Sequence, residues 1–533
     1  MSPCQREINI TIPRNLSEEV NSQNISPTNE GRADLLNRVG IITGMKSITA
    51  LHDMRKFVTI LVFLLVFFIA LSPPQDADMW WHLSAGKAMV EQGKIITTDI
   101  FSYTKSGAPW TNAFWLPDIL LYLAFKSGGY LGITILSAGI AVLLMLIVHA
   151  QSADAPFPVP HAILLLAAIA IAPVWTPRPQ IFSFLLLALL DLGLNRQNGF
   201  ILQRPWALVP LFALWSNVHG GYIWGFLLLA AVLAGNRLDS VMKRENTHLE
   251  KAPVKLTLWT LASALAIGLN PNGLSLWKLP FYTVGVSIQS ITEWGSPDFH
   301  QISLHPLLWM MFLLIAALAN SRRFLGWGDT LKIIGFAYMA FVSQRSIGPF
   351  VVIAAPVLAS TLAPLWEDGK TAILALSGRI FKSRTSKPIP PMLAFALNLL
   401  VLTLFSAVTL LRAVSVSQSV EVHTGLPRDA VTWMRQNQPA GKIFNAYNWG
   451  GYLQWELPEY PVFIDGRADL YGDEIITEWW HVVEAREDAF AILNKWEIDL
   501  IFLEPGWRIL EKLTDNGWEV LYQDGVAVIL GRP

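Results

Sequence analysis

Residues 57–94 read FVTILVFLLVFFIALSPPQDADMWWHLSAGKAMVEQGK. The first seventeen, 57–73, are apolar and uncharged. A run of this kind, close to the roughly 20 residues that span a bilayer, reads as a membrane crossing. Directly behind it, two aspartates, two tryptophans and a histidine fall within the seven residues 76–82. Such a density of acids and aromatics is unusual for a membrane loop and directs the search for function to this point.

The rest of the chain fits the first run. Of 533 residues, 53% are hydrophobic and 15% charged, against about 25% charged in soluble domains. The 22 tryptophans suit a protein with many membrane–water boundaries. These values exclude an ordinary soluble enzyme and predict a polytopic α-helical membrane protein. The single cysteine, Cys4, excludes an internal disulfide framework and a cysteine-based metal site. No nucleic-acid partner is expected. Charge is unevenly divided: residues 413–533 carry 19 acidic and 9 basic side chains, a net of −10, and the remainder 21 acidic and 30 basic, a net of +9. The two parts therefore belong to different surroundings.

Residues 1 to about 55 are polar and aperiodic and read as a disordered cytoplasmic tail without a cleavable leader; Met45 and Met54 offer alternative starts. After the first run, further apolar runs lie near 130–149, 162–176, 180–195, 206–217, 221–236, 255–269, 306–320, 331–344, 348–363 and 392–412. Lys and Arg placement orients them. Arg237, Lys243, Arg244, Lys251 and Lys255 mark one cytoplasmic loop, 364–391 a second, Arg322, Arg323 and Lys332 a third, and Arg196 and Arg204 a fourth. The connection 270–305, with one lysine, belongs outside. FWLPDILLYLAF (114–125) is apolar but short. Taken as a helix lying on the membrane surface, it leaves eleven spans in 56–412 and a consistent parity. The outer loop 73–129 and the whole of 413–533 are then extracytoplasmic, and the N-terminus is cytoplasmic.

Residues 413–533 read as an α/β domain. PRDAVTWMRQNQ (427–438) has Pro and Asp in a first helical turn. GKIFNA (441–446), PVFID (461–465), DLIFLE (499–504), WEVLYQ (518–523) and VAVILG (526–531) read as strands. Asp-Gly at 524–525 marks a hairpin. Helical patterns around 474–495 and 506–515 separate the others.

The acids after the first span invite two readings. Trp80 and Trp81 anchor a helix at the interface on either of them. Asp76 and Asp78, at i and i+2, share one side of an extended backbone. Such a pair can hold a divalent cation (Mg or Mn) through oxygen ligands. Alternatively, one acid serves as a base towards a hydroxyl while the other holds geometry.

An acidic motif in the first outer loop, right after the first span, resembles the GT-C superfamily of membrane glycosyltransferases, which take sugars from polyprenyl-phosphate or pyrophosphate carriers. DMWWHLSAGKAMVEQG is similar to the first loop of the oligosaccharyltransferase catalytic subunit, where an Asp-Pro-aromatic-aromatic-Asn/His run opens an amphipathic helix. On that match Asp78 takes the place of the acidic loop residue. IITTDIFSYTKSGAPWTNAFWLPDILLYLAFKSGGYLG (95–132) resembles the rest of the loop, with Pro109 and Trp110 before a surface helix. IFNAYNWGGYLQWELPEYPVFIDGRADLYG (443–472) is similar to the region built around Trp-Trp-Asp-Tyr-Gly. Here Asn448, Trp449, Gly450 and Gly451 form the turn and the motif's acid is missing, which argues against an Asn-x-Ser/Thr peptide as acceptor. APVWTPRPQIFSF (172–184) likewise lacks the acidic metal ligands of the family's second outer loop.

Other candidates follow from residue type. Arg178 and Arg345 stand at predicted helix ends, where a guanidinium can grip a lipid phosphate through paired hydrogen bonds or simply snorkel. His219 lies in a tight loop whose glycines permit close backbone approach, and His82 lies four residues after Asp78 on the same helix face; both are candidate phosphate contacts. Glu293, Asp298 and His300 form a polar cluster that could supply metal ligands or loop contacts, or be a solvated face. Trp449 is a candidate acceptor contact. Arg467, between Asp465 and Asp469, is either an acceptor contact or half of a structural Asp–Arg pair. The resemblance implies a bacterial inner-membrane glycosyltransferase acting on a polyprenyl-phosphate-linked sugar, with a glycan, lipid or protein acceptor. The alternatives are a transporter or flippase of lipid-linked glycans and a non-catalytic envelope assembly protein.

Overall fold

The computed structural model describes residues 53–533, apart from 74–75, 195–198, 243–252, 280–291, 322–323, 381–389 and 423–424. The N-terminal tail up to residue 52, and the orienting residues Arg196, Lys243, Arg244, Lys251, Arg322, Arg323, Lys382, Arg384 and Lys387, lie outside the described residues.

The chain is mostly helical. Its apolar helices are α1 (Met54–Ala70), α3 (Trp115–Gln151), α4 (Val159–Ile171), α5 (Gln180–Gly193), α6 (Leu208–Ser216), α7 (Tyr222–Val241), α8 (Pro253–Ala266), α9 (His305–Asn320), α10 (Trp327–Val342), α11 (Ile347–Ile380) and α12 (Pro391–Val422). Among the described residues, five helical stretches are long and apolar enough to cross a membrane, beginning at Trp115, Tyr222, Ile302, Gln344 and Pro391. A helix that is apolar all round belongs in the middle of a bundle. α11 is such a helix: Ile347, Phe350 to Ala355 and Val357 to Ala359 are all buried. α4 and α10 pack on it, while α1 and α12 flank α3. The acid near a span end, Asp191, is paired with Lys332 at 2.9 Å.

α3 is two helical segments. Gly128 and Gly129 leave helical geometry, Gly129 at φ 58°, a left-handed conformation that favours glycine. The apolar segment 114–125 is thereby separated from the run at 130–149.

α2 (Ala77–Gln92) carries the acidic motif, and two expectations about it need correction. Asp76 is not part of an extended pair. It is the N-cap of α2, and its Oδ1 accepts from the Asp78 amide at 2.9 Å, the usual use of Asp at a helix start. Nor do the tryptophans sit at an exposed boundary. Trp80 is fully buried and Trp81 nearly so; Trp80 packs edge-on to Tyr130 and Tyr452. A second hydrophobic core covers Trp80, joining Met79, Trp80 and Leu83 to C-terminal residues, and Trp81 packs in a third with Ala85, Met89, Ile96 and Trp110.

In the C-terminal part, α13 (Arg428–Asn437), α14 (Gly450–Glu456), α15 (Ala468–Val483), α16 (Ala489–Lys495) and α17 (Arg508–Asp515) accompany a four-stranded sheet. Its strands are β1 (Lys442–Asn445), β2 (Ile498–Leu503), β3 (Glu519–Gln523) and β4 (Val528–Gly531), in the order β1-β2-β4-β3. β1 and β2 are parallel; β4 is antiparallel to both β2 and β3. Asp524 closes the β3–β4 hairpin by accepting from the amides of Val526 and Ala527. The fifth expected strand, 461–465, does not form. Its partners are the Asn445 side chain, which accepts from Phe463 N and donates to Ile464 O, and the loop at 101–103, through a single bridge of Ser102 to Val462. The Asn-Trp-Gly-Gly turn is a landing site for α2: a Cβ on Gly451 would stand 3.0 Å from Ala77 O and Trp81 N.

Candidate active site

Asp78 sits in the first turn of α2, where the helix dipole favours an anion. Its Oδ1 accepts from Trp81 Nε1 at 3.1 Å, one turn further on, so the helix itself fixes the carboxylate. Arg178 reaches across from the start of α5. Its Nε pairs with Asp76 and its Nη1 lies 3.5 Å from Asp78 Oδ2. Burial lifts the Asp78 carboxyl above its ordinary value; Arg178 pulls it back down, Asp76 pushes it up, and the net shift is upward. Arg178 is itself buried, which opposes its charge, but Asp78, Asp76 and Glu293 hold it above its usual value.

Glu293 joins the two arginines. Arg178 Nη1 donates to its Oε2 at 2.7 Å and Arg345 Nε at 3.1 Å. Burial opposes its ionisation, and the two guanidinium groups outweigh burial and hold it below the usual carboxylate range. Arg345 also lies over the Trp294 ring at 4.7 Å, a cation–π contact. The two arginines, read separately from the sequence, thus meet on one acid of the 292–300 loop.

The histidines sit on the other side. His219 Nδ1 accepts from the Gly221 amide at 2.9 Å and lies 2.8 Å from Ser183 Oγ. An amide donating to Nδ1 assigns the ring proton to Nε2. Burial, then Arg345, pushes its pKa down to about 3, so it is a neutral N–H donor. His82 Nδ1 is 2.6 Å from Asp118 Oδ1, whose other oxygen accepts from Asn112. Burial, Arg178 and His219 hold His82 well below its ordinary value.

Two cavities meet at this cluster. One, of about 370 Å³, is lined by Asp78, His82, His219 and both arginines together with Ile223, Trp224, Leu279 and Met339. The other, of about 390 Å³, is lined by Asp78, Arg178, Glu293, Arg345, Tyr447, Asn448 and a group of C-terminal tryptophans. Asp78, Arg178, Arg345 and Gly466 belong to both. Gly466 is required by packing: a Cβ there would collide with Asp78 Oδ1 and crowd Trp81 Nε1. Asp469, in the first turn of α15, lines the first cavity; burial is the main cause that pushes it up to about 6.

Four expected contact residues lie elsewhere. Asp298 and His300 pair with each other at 2.9 Å on the surface. Trp449 is buried against Phe502 and donates to Gly425 O. Arg467 is a buried clamp: Nε and Nη2 bind Asp465, Nη1 binds Asp99 at 2.7 Å, and its guanidinium lies 4.7 Å from Trp110. It ties the loop after α2 to the C-terminal part. Removing one partner of a buried ion pair costs about 3–5 kcal/mol. Arg467→Gln is therefore expected to lower the midpoint of thermal unfolding of the detergent-solubilised chain; an unchanged midpoint would contradict the clamp.

The acids do not fit a resident divalent cation. Asp76 is occupied by the helix cap and Arg178, and Asp78 and Glu293 face guanidinium groups. Among the described residues, no three His, Cys, Asp or Glu side chains converge in a set able to hold a metal.

Sequence reasoning missed Gly466, Asp469 as a lining residue, and the tryptophans of the second cavity. One signal was present: the Trp-Trp-His triplet of 80–82 recurs at 479–481.

No protein-family model and no curated protein matches the chain in sequence. Among solved structures, the archaeal oligosaccharyltransferase AglB from Archaeoglobus fulgidus, in complex with an inhibitory peptide and a dolichol-phosphate, matches 85% of this chain and 70% of its own, at 14% identity and a TM-score of 0.55. The apo form of the Archaeoglobus fulgidus oligosaccharyltransferase matches 84% of this chain and 69% of its own, at 14% identity and a TM-score of 0.51. ArnT from Cupriavidus metallidurans bound to undecaprenyl phosphate covers 88% of this chain and 96% of its own, at 13% identity and a TM-score of 0.48. The chain therefore shares its fold with these two oligosaccharyltransferase structures.

Proposed function

We propose that this protein is an integral membrane glycosyltransferase that moves a sugar from a polyprenyl-phosphate or pyrophosphate carrier to an extracytoplasmic acceptor. The observation that carries the reading is the junction itself: an acid and two arginines line both an apolar cavity and a polar–aromatic one. A lipid-linked sugar occupies the first, with its phosphate on Arg345 and the His219 Nε2–H. The acceptor hydroxyl enters from the second. Its oxygen forms the new bond to the anomeric carbon, and the carbon–oxygen bond to phosphate breaks. The electron pair leaves on the phosphate, where Arg345 stabilises the developing charge, and the hydroxyl proton passes to Asp78. Arg178 holds Asp78, Asp76 and Glu293 in place. No step is routed through a metal ion.

Residues 56–412 form eleven crossings in a bacterial inner membrane, with 115–127 lying on its surface. Residues 1–55 are a cytoplasmic tail and 413–533 an extracytoplasmic α/β domain that closes over the site.

The full chain in proteoliposomes, supplied with a polyprenyl-phosphate carrier bearing a radiolabelled sugar and with a bacterial envelope extract as the source of acceptor hydroxyls, is expected to pass label from the lipid to the acceptor and to leave polyprenyl phosphate behind. A chelator leaves the rate unchanged. Delivery of the intact lipid-linked sugar to the opposite leaflet, without cleavage, would instead establish the flippase reading.

A further inference from the structure

The second cavity lies across the carboxyl ends of the parallel strands β1 and β2. Tyr447 and Asn448 follow β1 within three residues, and Glu504 follows β2 directly, with Trp507 just beyond. Crevices at the carboxyl ends of parallel strands are the usual ligand sites of α/β sheets. Trp479 and Trp480 enter from α15. The three indoles meet edge to face, Trp479 with Trp480 at 5.0 Å and with Trp507 at 5.8 Å. Trp479 Nε1 is bound to Asn445 O and Trp507 Nε1 to Glu504 Oε2, each at 2.9 Å. Their polar ends are thus tied into the protein. Carboxylates of Glu504 and Glu293 and the amide of Asn448 complete the lining.

We infer that this cavity binds a carbohydrate, so that the acceptor is itself a sugar; the inference rests on the proposed glycosyl transfer and names its acceptor class. A pyranose has an apolar C–H face that stacks on indole and an equatorial belt of hydroxyls that donate to carboxylates. Both halves of that chemistry are present on the lining, with Asp78 on the same cavity. An extended peptide would instead pair along a strand edge, and this cavity crosses strand ends. A lipid chain would lay methylenes against the Glu504 and Glu293 carboxylates and the Asn448 amide, desolvating them without offering hydrogen bonds in return.

Saturation-transfer NMR on the full chain in detergent tests this, with methyl α-glucoside, methyl α-mannoside and methyl N-acetyl-β-glucosaminide as probes and a short peptide containing Asn and Ser as comparison. Ring C–H protons of at least one glycoside are expected to be saturated. Trp480→Ala and Glu504→Gln each weaken binding about tenfold, the scale of one aromatic contact, and Trp480→Phe restores part of it. The inference is overturned if no glycoside is saturated, if both weakening variants bind like the parent, or if the peptide alone is saturated. Sugar release from the lipid carrier is read separately, so a chain that transfers sugar without binding these glycosides sinks this inference and leaves the transfer reading standing.

Discussion

Asn in place of Asp78 is expected to reduce sugar transfer about 10²- to 10⁴-fold, the range for loss of a positioned base, with donor binding retained. The substitution is conservative where structure is concerned. An amide oxygen still accepts from Trp81 Nε1, Asp76 still caps α2, and Arg178 still holds Asp76 and Glu293. What is lost is the capacity to take a proton. The pH profile of the parent carries the same assignment. Burial raises the Asp78 pKa, and the base works only when deprotonated. Activity therefore falls as pH drops through that raised value, so the acid limb lies above the ordinary carboxylate range. Asp469, pushed up to about 6 mainly by burial and in small part by Asp78, lines the same cavity. Asp469→Asn is expected to leave the acid limb in place and to keep activity. Transfer at the parental rate in Asp78→Asn, or an acid limb that follows Asp469 alone, would remove Asp78 as the base.

What could be read without coordinates, and what could not, divides by the range of the interaction. The apolar runs and the strands β1 to β4 are local patterns of period and composition; the strands fall within a few residues of their expected places, as do most of the helices, while α11 and α12 run well past the expected ends of 348–363 and 392–412. Residues 461–465 have the short β-branched and aromatic run of a strand, but their partners are one side chain, Asn445, and a loop more than three hundred residues earlier. Nothing in a local pattern encodes that. The same limit explains Trp80 and Trp81. Amphipathic aromatics after a span suit a membrane boundary, and only the arrival of Tyr452 and the C-terminal core buries Trp80. The D-x-D spacing misled for a different reason: the backbone is already helical at Asp78, and Asp76 spends its carboxylate on the cap. The site was therefore half legible. Asp78, Arg178, Arg345, His219, His82 and Glu293 were identifiable as polar residues beside apolar helices. Their convergence, the Arg–Glu–Arg link and the second cavity were not.

The arginines offer the other large effect, and the proposed mechanism gives them separate roles. Arg345 faces both cavities, makes one link to Glu293 and lies over Trp294. Removing it leaves the departing phosphate without its cation. A single preorganised electrostatic group of this kind is worth about 10²–10³ in rate, and Arg345→Gln is expected to lose that much. Arg345→Lys returns only part of it, because an ammonium cannot reproduce the planar paired donors. Arg178 acts through the acids instead. In Arg178→Gln, Asp76, Asp78 and Glu293 lose their shared counter-charge, and the influence that pulled the Asp78 pKa down is gone. The Asp78 pKa then rises further, so the acid limb moves to higher pH and rate returns as the medium is made more alkaline. Arg345 also lowers the Asp78 pKa, but less than Arg178 does, so in Arg345→Gln the limb moves less and the defect that remains at alkaline pH is that of the leaving group. Rate against pH for the two variants, measured with the same lipid-linked donor, distinguishes them. Full alkaline recovery in Arg345→Gln, or a pH-independent loss in Arg178→Gln, would reverse the assignment.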